Sequence, residues 1–186
     1  MRMIDRGVRL IVLTVAFVGC AGRVVSADGP YSGRVVDAET KQPLAGAVVL
    51  AIWMKHVPVG AHMPESFVDA VEVVTDANGE FTISAKTHTV VFGRLQEPEF
   101  VIFYPGYGYA PRYQVRPRLN LARELQSHAI VELPQWKVRE DRLRVDGIQN
   151  NVSRVPPDRM PKLIQQTNVE RRFLGLPNSS LGRGTP

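Results

Sequence analysis

The residues of this chain that can do chemistry are few and dispersed. There are four histidines. His56 and His62 stand six apart in a stretch broken by Pro58 and Pro64. A metal site takes three or four ligands. Those two would need His88 or Glu65 to complete one, so no metal or other cofactor is expected. Glu97 and Glu99 flank Pro98. Paired carboxylates suit acid–base work on glycosides, but here they read as the solvated approach to an apolar run. The most suggestive surface runs from Tyr104 through Pro105, Gly106, Tyr107, Gly108, Tyr109, Ala110, Pro111, Arg112 and Tyr113 to Arg116 and Arg118. Aromatic faces beside guanidinium groups can stack on sugar rings or on a partner's planar groups. Tyr107, Tyr109, Arg112 and Tyr113 are therefore the candidate ligand surface. No G-x-S-x-G, H-E-x-x-H or P-loop pattern is present. No catalytic residue is expected, and the chain reads as a non-enzyme.

Composition narrows the class. The chain has 186 residues, of which 44% are hydrophobic and 22% charged, which suits a globular domain with an appendage. One cysteine excludes a disulfide framework and any Cys-rich metal site. The net charge is +5. Setting aside residues 1–19 removes three arginines and Asp5, leaving 20 basic against 17 acidic residues. That excess is too small and too interspersed to imply nucleic acid.

Residues 1–9 form a basic head and residues 10–18 (LIVLTVAFV) an apolar run. The run is too short to span a bilayer, which takes about 20 residues. Head plus run is an export-signal pattern covering residues 1–19. Phe17-Val18-Gly19-Cys20 resembles a bacterial lipobox, in which Cys20 becomes lipidated and N-terminal. Ala21 after it implies the outer membrane. Val25-Ser26-Ala27 offers an alternative cleavage after residue 27, giving a soluble periplasmic or secreted product.

The body reads as short strands. Apolar or alternating runs occur at residues 31–36, 47–53, 67–75, 80–84, 100–104 and 129–133. Residues 47–53 (AVVLAIW) are apolar without interruption, the pattern of a strand buried on both faces or of a sandwich core. Asn78-Gly79 is a hairpin signal. Six short strands at close spacing predict an antiparallel sandwich.

Ser32-Gly33-Arg34-Val35-Val36-Asp37, then Thr40, Pro43-Leu44, Gly46-Ala47 and Val49, resembles the opening of carboxypeptidase regulatory-like domains. Thr75-Asp76-Ala77-Asn78-Gly79-Glu80-Phe81 resembles a second family signature, and Pro105-Gly106-Tyr107 a third. Lys41 departs from the family's usual Gly and implies a different turn. The resemblance covers residues 31–134. It implies an all-β, transthyretin-like, antiparallel Greek-key β-sandwich of about seven strands, usually non-catalytic. The hydroxyisourate hydrolases share that architecture, but their closing Tyr-Arg-Gly-Ser is not found here.

Residues 135–177 read as a short α-helical extension. Residues 137–146 suit one helix, broken at 147–151. A second is predicted over 158–174, with Asp158 as cap, Pro161 in the first turn, and Met160, Leu163, Ile164 and Thr167 on one face. Gly175 and Pro177 stop it. Residues 178–186 read as a disordered tail. The functional expectation is a cell-envelope lipoprotein, held to the membrane by an N-terminal lipid anchor, with an envelope protein or a glycan as partner. The alternative is a soluble periplasmic carbohydrate-binding module.

Overall fold

The computed structural model describes residues 24–58, 63–112 and 120–182. The export signal, Cys20, His62, Tyr113, Arg116, Arg118 and residues 183–186 lie outside them.

Nine strands are found among the described residues. They are β1 (Val24–Asp28), β2 (Tyr31–Asp37), β3 (Val48–His56), β4 (Glu65–Val74), β5 (Glu80–Ile83), β6 (Lys86–Val90), β7 (Arg94–Leu95), β8 (Glu99–Phe103) and β9 (Ala129–Leu133). One sheet has the order β5-β2-β9. In the other, β3 pairs with β4 on one edge and with β7 and β8 on the opposite edge. β1 and β6 form a separate antiparallel pair. The two larger sheets share one apolar cluster, with Val35, Phe81, Val131 and Leu133 from the first and Val49, Trp53, Phe100 and Ile102 from the second. The protein is mostly β, sandwich-like, with short helices toward its C-terminus.

Six of these strands match the apolar runs. β1, β6 and β7 do not. Lys86-Thr-His-Thr-Val lacks a run of apolar residues, and β7 is two residues long. The expectation of antiparallel pairing is corrected at one place: β2 and β9 are parallel, with Gly33 opposite Ala129 and Asp37 opposite Leu133. Parallel neighbours need a long crossover. Here the connection between β8 and β9 includes the short helix α1 (Leu121–Leu125). Gly33 permits this approach, because a Cβ there would lie 2.5 Å from the Ala129 carbonyl oxygen.

β3 organises the layers. Its first seven residues are all buried. Val49, Ala51 and Trp53 face the sandwich cluster. Val48, Leu50, Ile52 and Met54 face a second cluster with Val145, Ile148, Val152, Met160, Leu163 and Leu174. The C-terminal extension therefore covers the outer face of the β3 sheet. It comprises α2 (Arg139–Arg142), a 3-10 turn over Leu143–Asp146, α3 (Gly147–Val152) and α4 (Pro161–Phe173). The expected break at 147–151 is instead helical. Gly147 fits because it faces the Tyr109 ring, where a Cβ would come within 2.7 Å of the hydroxyl oxygen.

α4 begins without a side-chain cap of its own, and Asp158 does not serve as one. The Glu72 carboxylate, on β4, accepts from the Lys162 and Leu163 amides at 2.8 and 2.7 Å. It satisfies two donors that the first helical turn leaves open and complements the helix dipole. Pro161 occupies the first turn as expected. At the far end Gly175 (φ 71°) donates to the Arg172 carbonyl and Leu176 to that of Arg171, the paired bonds of a Schellman motif. The tail expected to be disordered is placed as far as residue 182. Ser179 is buried and its amide donates to Asn168 Oδ1 at 2.7 Å.

Truncating Leu163 to Ala is expected to cost about 2–5 kcal/mol of unfolding free energy by urea denaturation, as for a core leucine. A loss well below that would mean that α4 does not share the core.

Candidate functional site

The Tyr-rich loop follows β8. Tyr107 donates its amide to the Tyr104 carbonyl at 3.0 Å, closing a turn over Pro105-Gly106. The Tyr104 and Tyr107 rings meet edge to face at 5.6 Å. The Tyr107 hydroxyl donates to Asp37 Oδ2 at 2.9 Å. Burial, reinforced by that bond, raises its pKa to about 12. Tyr109 is fully buried among the residues under the extension. Arg112 is exposed. The expected aromatic ligand surface is therefore not assembled among the described residues. Tyr109 presents no face to solvent, and Tyr107 is half-buried with its hydroxyl engaged. The cause is packing: both clusters take rings from this loop or its base.

The loop is instead held from two sides. On one side is Asp37, at the end of β2. Its Oδ1 accepts from the Glu39 and Thr40 amides, each at 2.8 Å, and its Oδ2 accepts from Tyr107. On the other side is Glu170 of α4, fully buried. It accepts from Arg142 Nε at 2.5 Å, from Arg142 Nη2 at 2.8 Å and from the Gly106 amide at 2.7 Å. The bond to Glu170 raises the Arg142 pKa against the effect of burial. The Arg142 guanidinium also lies 3.7 Å over the Phe173 ring. One carboxylate thus ties α2, α4 and the loop together. Sequence reasoning missed it, since position 170 falls on a helix face read as apolar.

The described histidines do not converge. His56 Nε2 is 3.2 Å from Glu65 Oε1, and Glu65 Oε2 pairs with Arg154. The Arg154 bond, followed by that to His56, lowers the Glu65 pKa. His56, Glu65, Arg94, Glu97 and Glu99 line an open cleft of about 400 Å³. His88 is elsewhere, buried against Trp53 with ring centroids 4.8 Å apart. Among the described residues no three His, Cys, Asp or Glu side chains come together as a metal site would require. Glu97 is committed to Asn120 and Arg123.

A second polar cluster had no sequence signal. Asp69 of β4 accepts from Lys86 at 2.5 Å and pairs with Arg159, and His88 Nε2 lies 3.4 Å away. Beside it Asp28 Oδ2 accepts from Trp53 Nε1 at 2.9 Å, and Oδ1 from the Tyr31 hydroxyl. Burial, then the bond to Asp28, raises the Tyr31 pKa. Apart from Asp28 and Tyr31, which are three residues apart, the bonded partners lie 17 or more residues from each other, so no local spacing announces the cluster.

Compared with family models, with curated proteins and with solved structures, the chain finds no match. The site must therefore be read from its own chemistry. What that chemistry does is join elements. Asp37 closes a turn and fastens a loop, Thr75 Oγ1 accepts from the Ala47 amide and donates to the Leu44 carbonyl, and Glu170 clasps two helices.

Burial works against the charge of Asp37, but the Thr40, Tyr107 and Glu39 hydrogen bonds outweigh it and hold the carboxyl below its ordinary range. Its stabilising contribution is then present above about pH 3.9, the unfolded value, and is lost as pH falls through the lower folded value. Asp37→Asn is expected to cost about 1–2 kcal/mol near pH 7. That gap from the wild type should narrow in urea titrations taken at progressively lower pH. A gap independent of pH would refute this role for the ionised carboxylate.

Proposed function

We propose that the chain is a non-catalytic cell-envelope lipoprotein: a carboxypeptidase regulatory-like, transthyretin-like Greek-key sandwich, tethered through Cys20 and offering a binding or structural surface. The observation that carries the tether is β1. It pairs with β6 along its full length, from Val24 opposite Val90 to Asp28 opposite Lys86. Cleavage after Ala27 would remove four of these five residues and strip β6 of the only strand paired to it among the described residues. Processing at Cys20 leaves the pair intact. The fold thus favours the lipobox-like site over the alternative one. Among the described residues no helix is long and apolar enough to cross a membrane.

The family reading draws support from where its signatures meet. The residue 32–49 and 75–81 segments are bonded to each other: the Val35 amide donates to the Gly79 carbonyl, Gly46 to that of Thr75, and Thr75 to that of Ala47. Gly79 (φ 76°) sits where a Cβ would press on the Val35 carbonyl. Lys41, which stands where the family usually has Gly, adopts φ 59°, the left-handed conformation a Gly supplies more readily. The soluble carbohydrate-binding alternative relied on Tyr107, Tyr109 and Tyr113, and the burial of Tyr109 removes one of those stacking faces.

The intact mass of the protein from membrane and soluble fractions tests the proposal. An acylated Cys20 N-terminus in membranes is expected, with Cys20→Ser leaving that fraction. A soluble protein beginning at Asp28 would overturn it.

A further inference from the structure

Three large apolar side chains stand out into solvent on two adjoining loops at one end of the protein. Met63 is 69% exposed, Val91 63% and Phe92 59%. The loops touch through backbone. Val57 donates to the Pro64 carbonyl at 3.0 Å, and Gly93 (φ 99°) packs on the His56 carbonyl and on Val57, with Val57 Cα 3.6 Å from where a Cβ would be. Neither main cluster takes up these three side chains. The contrast with the preceding residue is sharp, since Val90 is buried. Beside them Arg94 is exposed, with its backbone paired to His56.

The same end of the protein receives the tether. Val24 pairs with Val90, immediately before Val91 and Phe92. Cys20 precedes Val24 by four residues. Four residues reach at most about 14 Å. A lipid on Cys20 is thus confined to the neighbourhood of this apolar tip.

We propose that Met63, Val91 and Phe92 form a membrane seat: they enter the interfacial layer of the bilayer that holds the Cys20 lipid, and so fix how the sandwich stands on the membrane. The inference rests on the lipid-anchor reading and adds orientation to it. Apolar side chains gain free energy on entering the headgroup–acyl boundary, and exposed apolar tips beside a cation suit such an interface. The tether makes the second contact nearly free of association cost, because it raises the local concentration of lipid around the tip. The occupant is a lipid surface because it is the one partner that the short reach from Cys20 obliges to be there.

The test uses the protein as processed, carrying Phe92→Trp or, as a control on a different exposed face, Phe173→Trp (Phe173 is 68% exposed). Each is placed in phosphatidylethanolamine–phosphatidylglycerol vesicles containing lipid brominated near the glycerol end of its chains. If Cys20 is recovered unacylated, the same thiol is coupled to a maleimide lipid. The failure of the anchor reading is then read separately, from the mass of the N-terminus. The expected result for the Phe92→Trp protein is a blue-shifted emission from the introduced indole, lost to bromine quenching. The indole introduced by Phe173→Trp should be unaffected. Native Trp53 and Trp136 are buried and contribute a constant background. Emission from position 92 that stays water-like in tethered protein would overturn the seat. So would quenching equal to that at position 173, or a blue shift without lipid, which would mean that protein covers the patch.

Discussion

β3 is apolar on both faces, and a strand of that kind must be covered twice. From Val48 to Met54 every side chain is buried. Alternate residues point to opposite sides of a sheet. One set is covered by β2, β5 and β9, and the other by the helices after residue 136. The extension is thus a third layer of the protein. β8 repeats the arrangement, with Phe100 and Ile102 on one side and Val101 and Phe103 on the other. Without the helices, Val48, Leu50, Ile52, Val101 and Phe103 would form one open apolar face, of a size that soluble sheets do not leave uncovered.

Apolar covering does not by itself fix where a helical layer sits, and here carboxylates supply the register. Glu72 receives the first amides of α4, and Glu170 receives Arg142 and the Gly106 amide. A buried charge is costly unless paired and hydrogen-bonded. Glu170 has three donors, two of them from one guanidinium, so its burial is compensated. Asp37 does the same from the other side of the Tyr-rich loop, where it holds Tyr107, the neighbour of Gly106. The loop that most resembled a ligand surface is, in the structure, a seam between the two sheets and the extension.

The strands of the sandwich were legible in the sequence because their apolar runs are local. The runs at 31–36, 47–53, 80–84, 100–104 and 129–133 reappear as strands within a few residues. The uninterrupted run of β3 suited either a strand covered on both faces or a sandwich core, and the structure covers both faces. Gly175 ends α4 where a glycine closely followed by a proline would place the stop, with Pro177 two residues beyond. What stayed hidden was non-local. The acceptor for the amides of α4 is some 90 residues upstream at Glu72. β6 is polar by composition and is a strand because β1 lies beside it. The parallel pairing of β9 depends on the path of the whole crossover. Tyr109 could be counted as a surface ring only while the layer that buries it was unknown.

Sandwich and extension form one cooperative unit around β3. The two tryptophans report on the two sides of that strand: Trp53 belongs to the sandwich cluster and Trp136 to the cluster under the extension. Fluorine NMR of the protein labelled with 5-fluorotryptophan, followed through a urea titration, reads both sides in one sample. Coincident loss of the two native signals is the predicted result. Loss of the Trp136 signal well before that of Trp53 would show a detachable appendage and contradict the account.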